Sequence, residues 1–533
     1  MVPGRISGKV DADQVAPDVL ARDIEEYLAN HPAAAVLEDG RVIFDLRNAR
    51  YSIGDSHGRC VLQFWSEERN LIRTVVGVEA RAQSLRLMTR RMGAPKPQAL
   101  ELVPTSDRRT PSARDAARRT YQRLLERVLT RAFIGSKVDA LSSAMDLEHS
   151  FGPAYVRGRL LKGTAADAVI GVGESESAAT VDGVLTLGVL WLAYCRQHGD
   201  ARRHVGGLKI VVPAGTWRAT AERMAWMHHD TAEFQLYTLD EHSEELAQVD
   251  YRDIGNLESR LVHAFSRTAA IERCRVGLDR VLGLVPEGLT NRVEIHPRSA
   301  TEVGLLLHGL EFARVRQGLS PHSFTHQMEV TFGAGPNETP LTEENGGLAR
   351  ELLARLFQSR RPGGVHTDAL FRLQPERWLE ARLRERVEDL LPGLRGDMLY
   401  SQVPALSAND RGMLDLLTLD RNGRLAVIEL KADEDLHLPM QALDYWIRVR
   451  ALNDDRQATP GRKLSAFERQ GYFAGVEVSE LPPRLLLAAP ALRIHPANEP
   501  VLRYFSPQIE WELIALTEHW REELKVVFRK HGA

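Results

Sequence analysis

"MLDLLTLDRNGRLAVIELK", residues 413–431, sets two apolar runs around a polar turn and ends the second run with Glu429 and Lys431 two residues apart. The pattern predicts a β-hairpin. Strand side chains alternate between faces, so Glu429 and Lys431 share a face with Val427 and Leu425, and that face turns from apolar to charged at its end. The turn decides where Asp415 goes. A two-residue loop at Asn422 and Gly423 pairs Leu416 with Glu429 and sends Asp415 to the far face. A three-residue loop, with Gly423 in the left-handed position of a bulge, pairs Asp420 with Arg424 and sets Asp415 opposite Glu429. Both turns are common. The second is preferred because it gathers two carboxylates and an ammonium at one spot, whereas the first strands Asp415 among apolar residues; a slip of one residue inverts the whole strand.

Two carboxylates on neighbouring strands offer hard oxygen ligands of the kind Mg²⁺ or Mn²⁺ takes, leaving positions for water and phosphate. A nearby lysine can orient the attacking water or offset phosphate charge, which is phosphodiester hydrolysis chemistry. The competing interpretation is a surface hairpin end whose Asp, Glu and Lys are solvated or paired with each other, because D…ExK alone is a loose pattern. Upstream, "QPERWLEARLRERVEDLLP" (374–392) predicts one helix with Pro375 near its start and an apolar stripe of Leu379, Leu383, Val387 and Leu390. Glu380 stands on the margin of that stripe, with Glu376 one turn earlier; either could instead be a solvated acid, Glu380 pairing with Arg384 at i+4. Downstream, Gln441 and Tyr445 share a helical face with Arg448 and are suited to touch metal-bound water or phosphate, or simply form an exposed stripe.

The order of these parts resembles the core of the PD-(D/E)XK nuclease superfamily, with its restriction-endonuclease-like fold. "RGMLDLL", "AVIELKADED" and "QALDYW" follow that order, and Gln441 with Tyr445 is similar to the QxxxY element of the RecB-like branch. Leu414 stands where the pattern has proline. The resemblance covers roughly residues 371–533. It implies a divalent-metal nuclease in which Asp415, Glu429 and Glu380 hold Mg²⁺ or Mn²⁺, Lys431 assists the water, and Gln441 joins the catalytic set. Glu380 is favoured over Glu376 only because that pattern wants a helical acid.

More than two hundred residues earlier the same plan recurs. "RG" at Arg157 and Gly158 leads to "AVIGVG" (168–173), an apolar helix, "LKIVVPAG" (208–215), a helix and "AEFQLYTLDE" (232–241). "RG" at Arg411 and Gly412 leads to "AVIELK" (426–431), a helix, "RLLLAAPAL" (484–492), a helix and "IEWELIALTE" (509–518). The interval from Pro213 to Glu233 equals that from Pro490 to Glu510. This self-similarity predicts duplication of one αβ module. Aligned by "RG" and "AVI", Glu429 falls on Gly171, Lys431 on Gly173 and Asp415 on Leu161, so the first copy is expected to be catalytically silent and to serve packing, pairing within the chain, or substrate binding. On the helix before it, Arg119, Arg123, Arg127 and Arg131 repeat every four residues and could track phosphates, although most such stripes are solvated helix faces. His228 and His229 have no third ligand at useful spacing.

The expected fold is thus α/β, a mixed β-sheet flanked by helices, in two tandem copies with accessory α+β regions. A chain of 533 residues should hold roughly three or four domains: a β-rich α+β region (1–110), the degenerate module (111–250), an intervening α+β region (251–370) whose stretch 291–359 echoes 73–131, and the nuclease-like domain (371–533). Residues 104–113 are expected to be a linker. The formal net charge of −3 gives no global basic signature, so nucleic acid, DNA first, would be held by local patches such as Arg119, Arg123 and Arg127, with Tyr445 and Arg448. Three scattered cysteines suit a reducing compartment, and no signal-like start or membrane-length apolar run is evident; a soluble cytoplasmic protein is expected. The rival expectation is a nucleic-acid-binding or assembly scaffold that no longer cuts. No Walker loop is present.

Overall fold

The computed structural model describes residues 16–532 apart from 39–40, 48, 56–57, 67–69, 82–83, 91–96, 105–110, 200–201, 256–258, 320–325, 335–337 and 408–409. Of residues 41, 55, 111–112, 259–260, 319, 326, 402, 404–407 and 410–413 it describes the backbone alone. Most of the expected linker therefore lies outside the described residues.

Among those residues the chain is mixed α/β, built on four larger sheets and one small hairpin. The alternating runs of the first hundred residues form a seven-stranded antiparallel sheet against the helix Pro17–Asn30, whose Leu20, Ile24 and Leu28 enter its core. A five-stranded antiparallel sheet, from Glu294–Ser299 to Thr339–Pro340, forms the middle region with the helices Arg275–Leu282 and Gly346–Ser359.

Between and after these lie two αβ units. The first runs α1 (Pro111–Ala132), β1 (Lys137–Ser142), β2 (Tyr155–Lys162), β3 (Ala165–Val172), α2 (Ala178–Asp182), α3 (Val184–His198), β4 (His204–Pro213), α4 (Arg218–Met224), β5 (Glu233–Asp240) and β6 (Glu245–Val249). The second runs α5 (Pro375–Glu385), β7 (Tyr400–Ser407), β8 (Asp410–Leu419), β9 (Leu425–Leu430), α6 (Leu438–Asp454), β10 (Arg484–Pro490), α7 (Asn498–Leu502), β11 (Trp511–Leu516) and β12 (Val526–Gly532). Both sheets have the same order, β6-β5-β4-β3-β2-β1 and β12-β11-β10-β9-β8-β7. The directions also match: three central strands run parallel and the remaining joins are antiparallel. The strand Ser259–Leu261, which the sequence assigns to the intervening region, extends the second sheet beyond β7.

Two expectations are corrected here. The helix read from residue 374 onward is broken: α5 stops where Arg386 leaves helical backbone (φ −146°), and a separate turn carries Val387 and Leu390. All four stripe residues still bury together against the sheet. The correspondence of the two units also shifts. Glu429 pairs with Leu487, which pairs with Leu513; three residues short of the matched proline in the first unit, Ile210 joins Ile170 to Leu236. Glu429 thus corresponds to Ile170, Lys431 to Val172, and Asp415 to Arg157, the partner of Ile170 across the hairpin. The alignment on Gly171, Gly173 and Leu161 fails because the short identities are out of step with the strand pairing, "AVI" by one residue and "RG" by four, and a slip of one residue already exchanges the faces of a strand. Gly171 faces α1 instead, where a Cβ would lie 2.6 Å from the Tyr121 hydroxyl.

One continuous apolar core joins the units, with Leu192 and Leu208 of the first and Trp446 and Leu485 of the second among its members. Their backbones also meet: Met227 bridges Phe505, the His228 amide donates to the Tyr504 carbonyl at 2.7 Å, and the Ser506 amide donates to the Trp226 carbonyl at 2.8 Å. At the centre of this contact Arg223 of α4, 3 % exposed, forks onto Asp444 of α6 at 2.7 and 2.6 Å and also reaches Asp182. All three cysteines are buried and free, and no described helix is long and apolar enough to cross a membrane.

Candidate active site

The hairpin takes the three-residue turn. The Asp420 amide donates to the Arg424 carbonyl at 2.8 Å, Gly423 sits at φ +76°, and Leu416 through Leu419 pair with Ile428 through Leu425. Only glycine fits at 423, since a Cβ there would lie 2.2 Å from the Glu477 carbonyl oxygen. This register brings Asp415 opposite Glu429. Asp415 then accepts a hydrogen bond from the Leu430 amide at 3.1 Å.

The pair sits in a nearly dry wall. Glu429 is 3 % exposed, and its Oε2 is buried without a hydrogen-bond partner among the described residues. Burial, followed by the Asp415 charge, pushes the Glu429 carboxyl well above its ordinary value, with Lys431 pulling the other way. Burial also raises Asp415, against the Leu430 amide and Lys431. For Lys431 burial disfavours the charge, but Glu376, Glu429, Asp435 and Asp415 outweigh it and raise its pKa. Its Nζ lies 3.8 Å from Glu376, 4.0 Å from Glu429 and 3.8 Å from Asp435. Burial therefore favours the protonated form of Glu429 unless a cation takes the place of the proton.

The helical acids divide their roles. Glu380 is 5 % exposed and raised by burial, with Asp415 adding to the effect, so it borders the pair. It pairs with Arg377 at 2.9 Å, one turn before it, and feels the charge of Arg384, which itself binds Glu294 at 2.5 Å. Among the described residues no three His, Cys, Asp or Glu side chains are arranged to hold a metal ion. With Arg377 holding Glu380, that carboxylate does not complete a three-membered cradle with Asp415 and Glu429. Glu376, the rival acid, is the one beside Lys431.

From the other side α6 delivers Tyr445, whose hydroxyl is raised by burial and then by Glu429 and Asp415, which places it against the same pair. Arg448 lies over the Tyr445 ring at 5.8 Å. Gln441 is half-buried one turn earlier. The arginine stripe does not join this assembly. Its helix α1 packs on the face of the first sheet opposite the shared core; Arg127 and Arg131 pair with Glu244, and Arg119 and Arg123 are exposed. The Glu244 partnership was invisible in sequence because it joins residues over a hundred positions apart. Asp435, four residues after Lys431, was the readable signal left unused.

No protein-family model matches this chain, and no curated protein matches it.

Proposed function

We propose that the second unit is a PD-(D/E)XK-type, restriction-endonuclease-like nuclease domain that hydrolyses phosphodiester bonds, DNA first, with Mg²⁺ or Mn²⁺, and that the first unit is its degenerate duplicate. The observation that carries this reading is the buried Glu429 carboxyl, with one oxygen lacking a hydrogen-bond partner among the described residues, set opposite Asp415 and within 4.0 Å of the Lys431 ammonium. Such an oxygen is costly to bury without a cation or donor. The common order and direction of strands in the two sheets supports the duplication.

Asp415 and Glu429 would hold the ion, with waters and the substrate phosphate completing its shell. When bound, the ion supplies charge neutralisation at phosphorus and an acidified water. Lys431, kept charged by Glu376 and Asp435, donates to a phosphate oxygen or orients the attacking water. Tyr445 closes the site on the α6 side, and Arg448 behind it offers a guanidinium to the flanking backbone. Glu380 rests on Arg377 and joins the ligand set only by leaving it.

The ion pair that holds Glu380 on Arg377 at 2.9 Å favours one alternative, a nucleic-acid-binding scaffold without cleavage. Incubating the protein with duplex, single-stranded and branched DNA and with RNA, in Mn²⁺ or Mg²⁺, decides between them. Cleavage by the wild type that falls to background in Asp415→Ala and Glu429→Ala, with both variants folded, is the expected result. Undiminished cleavage by either variant ends the nuclease reading; salt-sensitive binding with no cleavage and no metal uptake selects the scaffold.

A further inference from the structure

A cavity of about 870 Å³ lies between the middle five-stranded sheet and the second unit. One wall comes from the sheet, through Arg298, Glu311 and Arg314; the other is the face of α5 bearing Arg377, Glu380 and Arg384. These α5 residues fall at i, i+3 and i+7, so they share one helix face. Glu380 lines the cavity and its carboxyl feels the Asp415 charge, so this one side chain links the cavity to the carboxylate pair.

Its chemistry is mixed. Five arginines and four glutamates line it, leaving one excess positive charge with its histidines neutral. The sheet arginines are held in fixed orientations, Arg298 on Glu311 at 2.5 Å and Arg314 on Glu311 at 2.6 Å. Tyr400 lines it with its ring tilted against the buried Tyr472, centroids 4.9 Å apart, and the exposed Arg267 guanidinium lies over the Tyr400 ring at 5.9 Å.

The volume is that of a small-ligand pocket and admits a nucleotide unit but not a duplex. A single excess charge matches one phosphodiester, and rings flanked by guanidinium are the recurrent platform for an unstacked base. We propose that this cavity receives an unpaired nucleotide of a single-stranded substrate segment, its base against Tyr400 and its phosphate toward Arg267 and Arg384. The inference rests on the phosphodiesterase reading of the adjoining site and assigns its substrate: a strand that reaches the carboxylates unpaired.

The test is fluorescence anisotropy with a labelled single-stranded oligodeoxynucleotide and with the duplex of the same sequence, using the full chain in EDTA so that nothing is cut. The single strand should bind more tightly than the duplex. Arg267→Glu, an exposed substitution, and Ser401→Trp, which fills the cavity, should each weaken it about tenfold, the scale of one lost stacking contact, with folding checked by circular dichroism. Unchanged single-strand affinity in Arg267→Glu, or tighter binding of the duplex, overturns the proposal. The two readings fail separately. A wild type that cuts while Arg267→Glu binds normally defeats this one alone, whereas cavity-dependent binding by a wild type that never cuts defeats the nuclease alone.

Discussion

The two αβ units build the same sheet and place opposite kinds of residue at its centre. Where the second has Glu429 and Lys431, the first has Ile170 and Val172, both fully buried in the shared core. Where the second has Asp415, the first has Arg157, stacked on Phe151 at 4.6 Å and donating to the Ala144 carbonyl at 2.7 Å. One unit uses these positions to contribute apolar burial, worth ~1.5–3 kcal/mol for a side chain of this size. The other gives that up and accepts two desolvated carboxyls. Stability sacrificed at a few positions of an otherwise conventional core is the usual mark of a functional site.

Glutamine at the equivalent positions gives the widest contrast. Ile170→Gln should lower stability by about 4 kcal/mol, from lost apolar contact and a buried amide without partners, measured by urea unfolding; a neutral result would mean that the first unit has a polar pocket after all. Arg223→Met tests what joins the units. It leaves Asp444 facing a buried contact and should cost about 3 kcal/mol, the low end for breaking such a pair because Asp182 is half-exposed; Arg223→Met combined with Asp444→Asn should recover part of that loss.

Glu429→Gln should act with the opposite sign to Ile170→Gln. The folded-state pKa of Glu429 is raised, so its contribution to stability is fully present below the ordinary carboxylate range and is lost as pH rises through the folded value. Removing the titration should therefore stabilise the metal-free protein near neutral pH by about 1 kcal/mol, roughly 2–4 °C in melting temperature, and by nothing at acid pH. Added Mn²⁺ should reverse the order, stabilising only the wild type. The smallest effect concerns α1: Arg119→Ala with Arg123→Ala should change stability by less than ~0.5 kcal/mol and lower the salt slope of DNA binding by about two. An unchanged slope would remove the stripe from the binding surface.

The local chemistry of the turn left two hairpin registers open, and the right one was legible only because it gathers Asp415, Glu429 and Lys431 at one spot. The recurrence of strand order was legible too, through the runs around Pro213 and Pro490. The pairing of individual residues between the units was not, since the short identities "AVI" and "RG" lie one and four residues out of step with the strand pairing. Nor was the break at Arg386, where packing of Val387 and Leu390 against the sheet overrides a continuous helical pattern. The cavity beside Glu380 assembles residues from 262 to 472, and no local spacing announces it.

The clasp between the units, with Met227 bridging Phe505 and Arg223 gripping α6, makes a homodimer-like pair out of a single polypeptide. Two-fold enzymes that sever both strands carry one centre per half; this chain carries a carboxylate pair in one half only. On the proposed nuclease reading its stoichiometry would be one incision per docking event, a nick or a trimmed end, and a double-strand break would require a second molecule or a second visit.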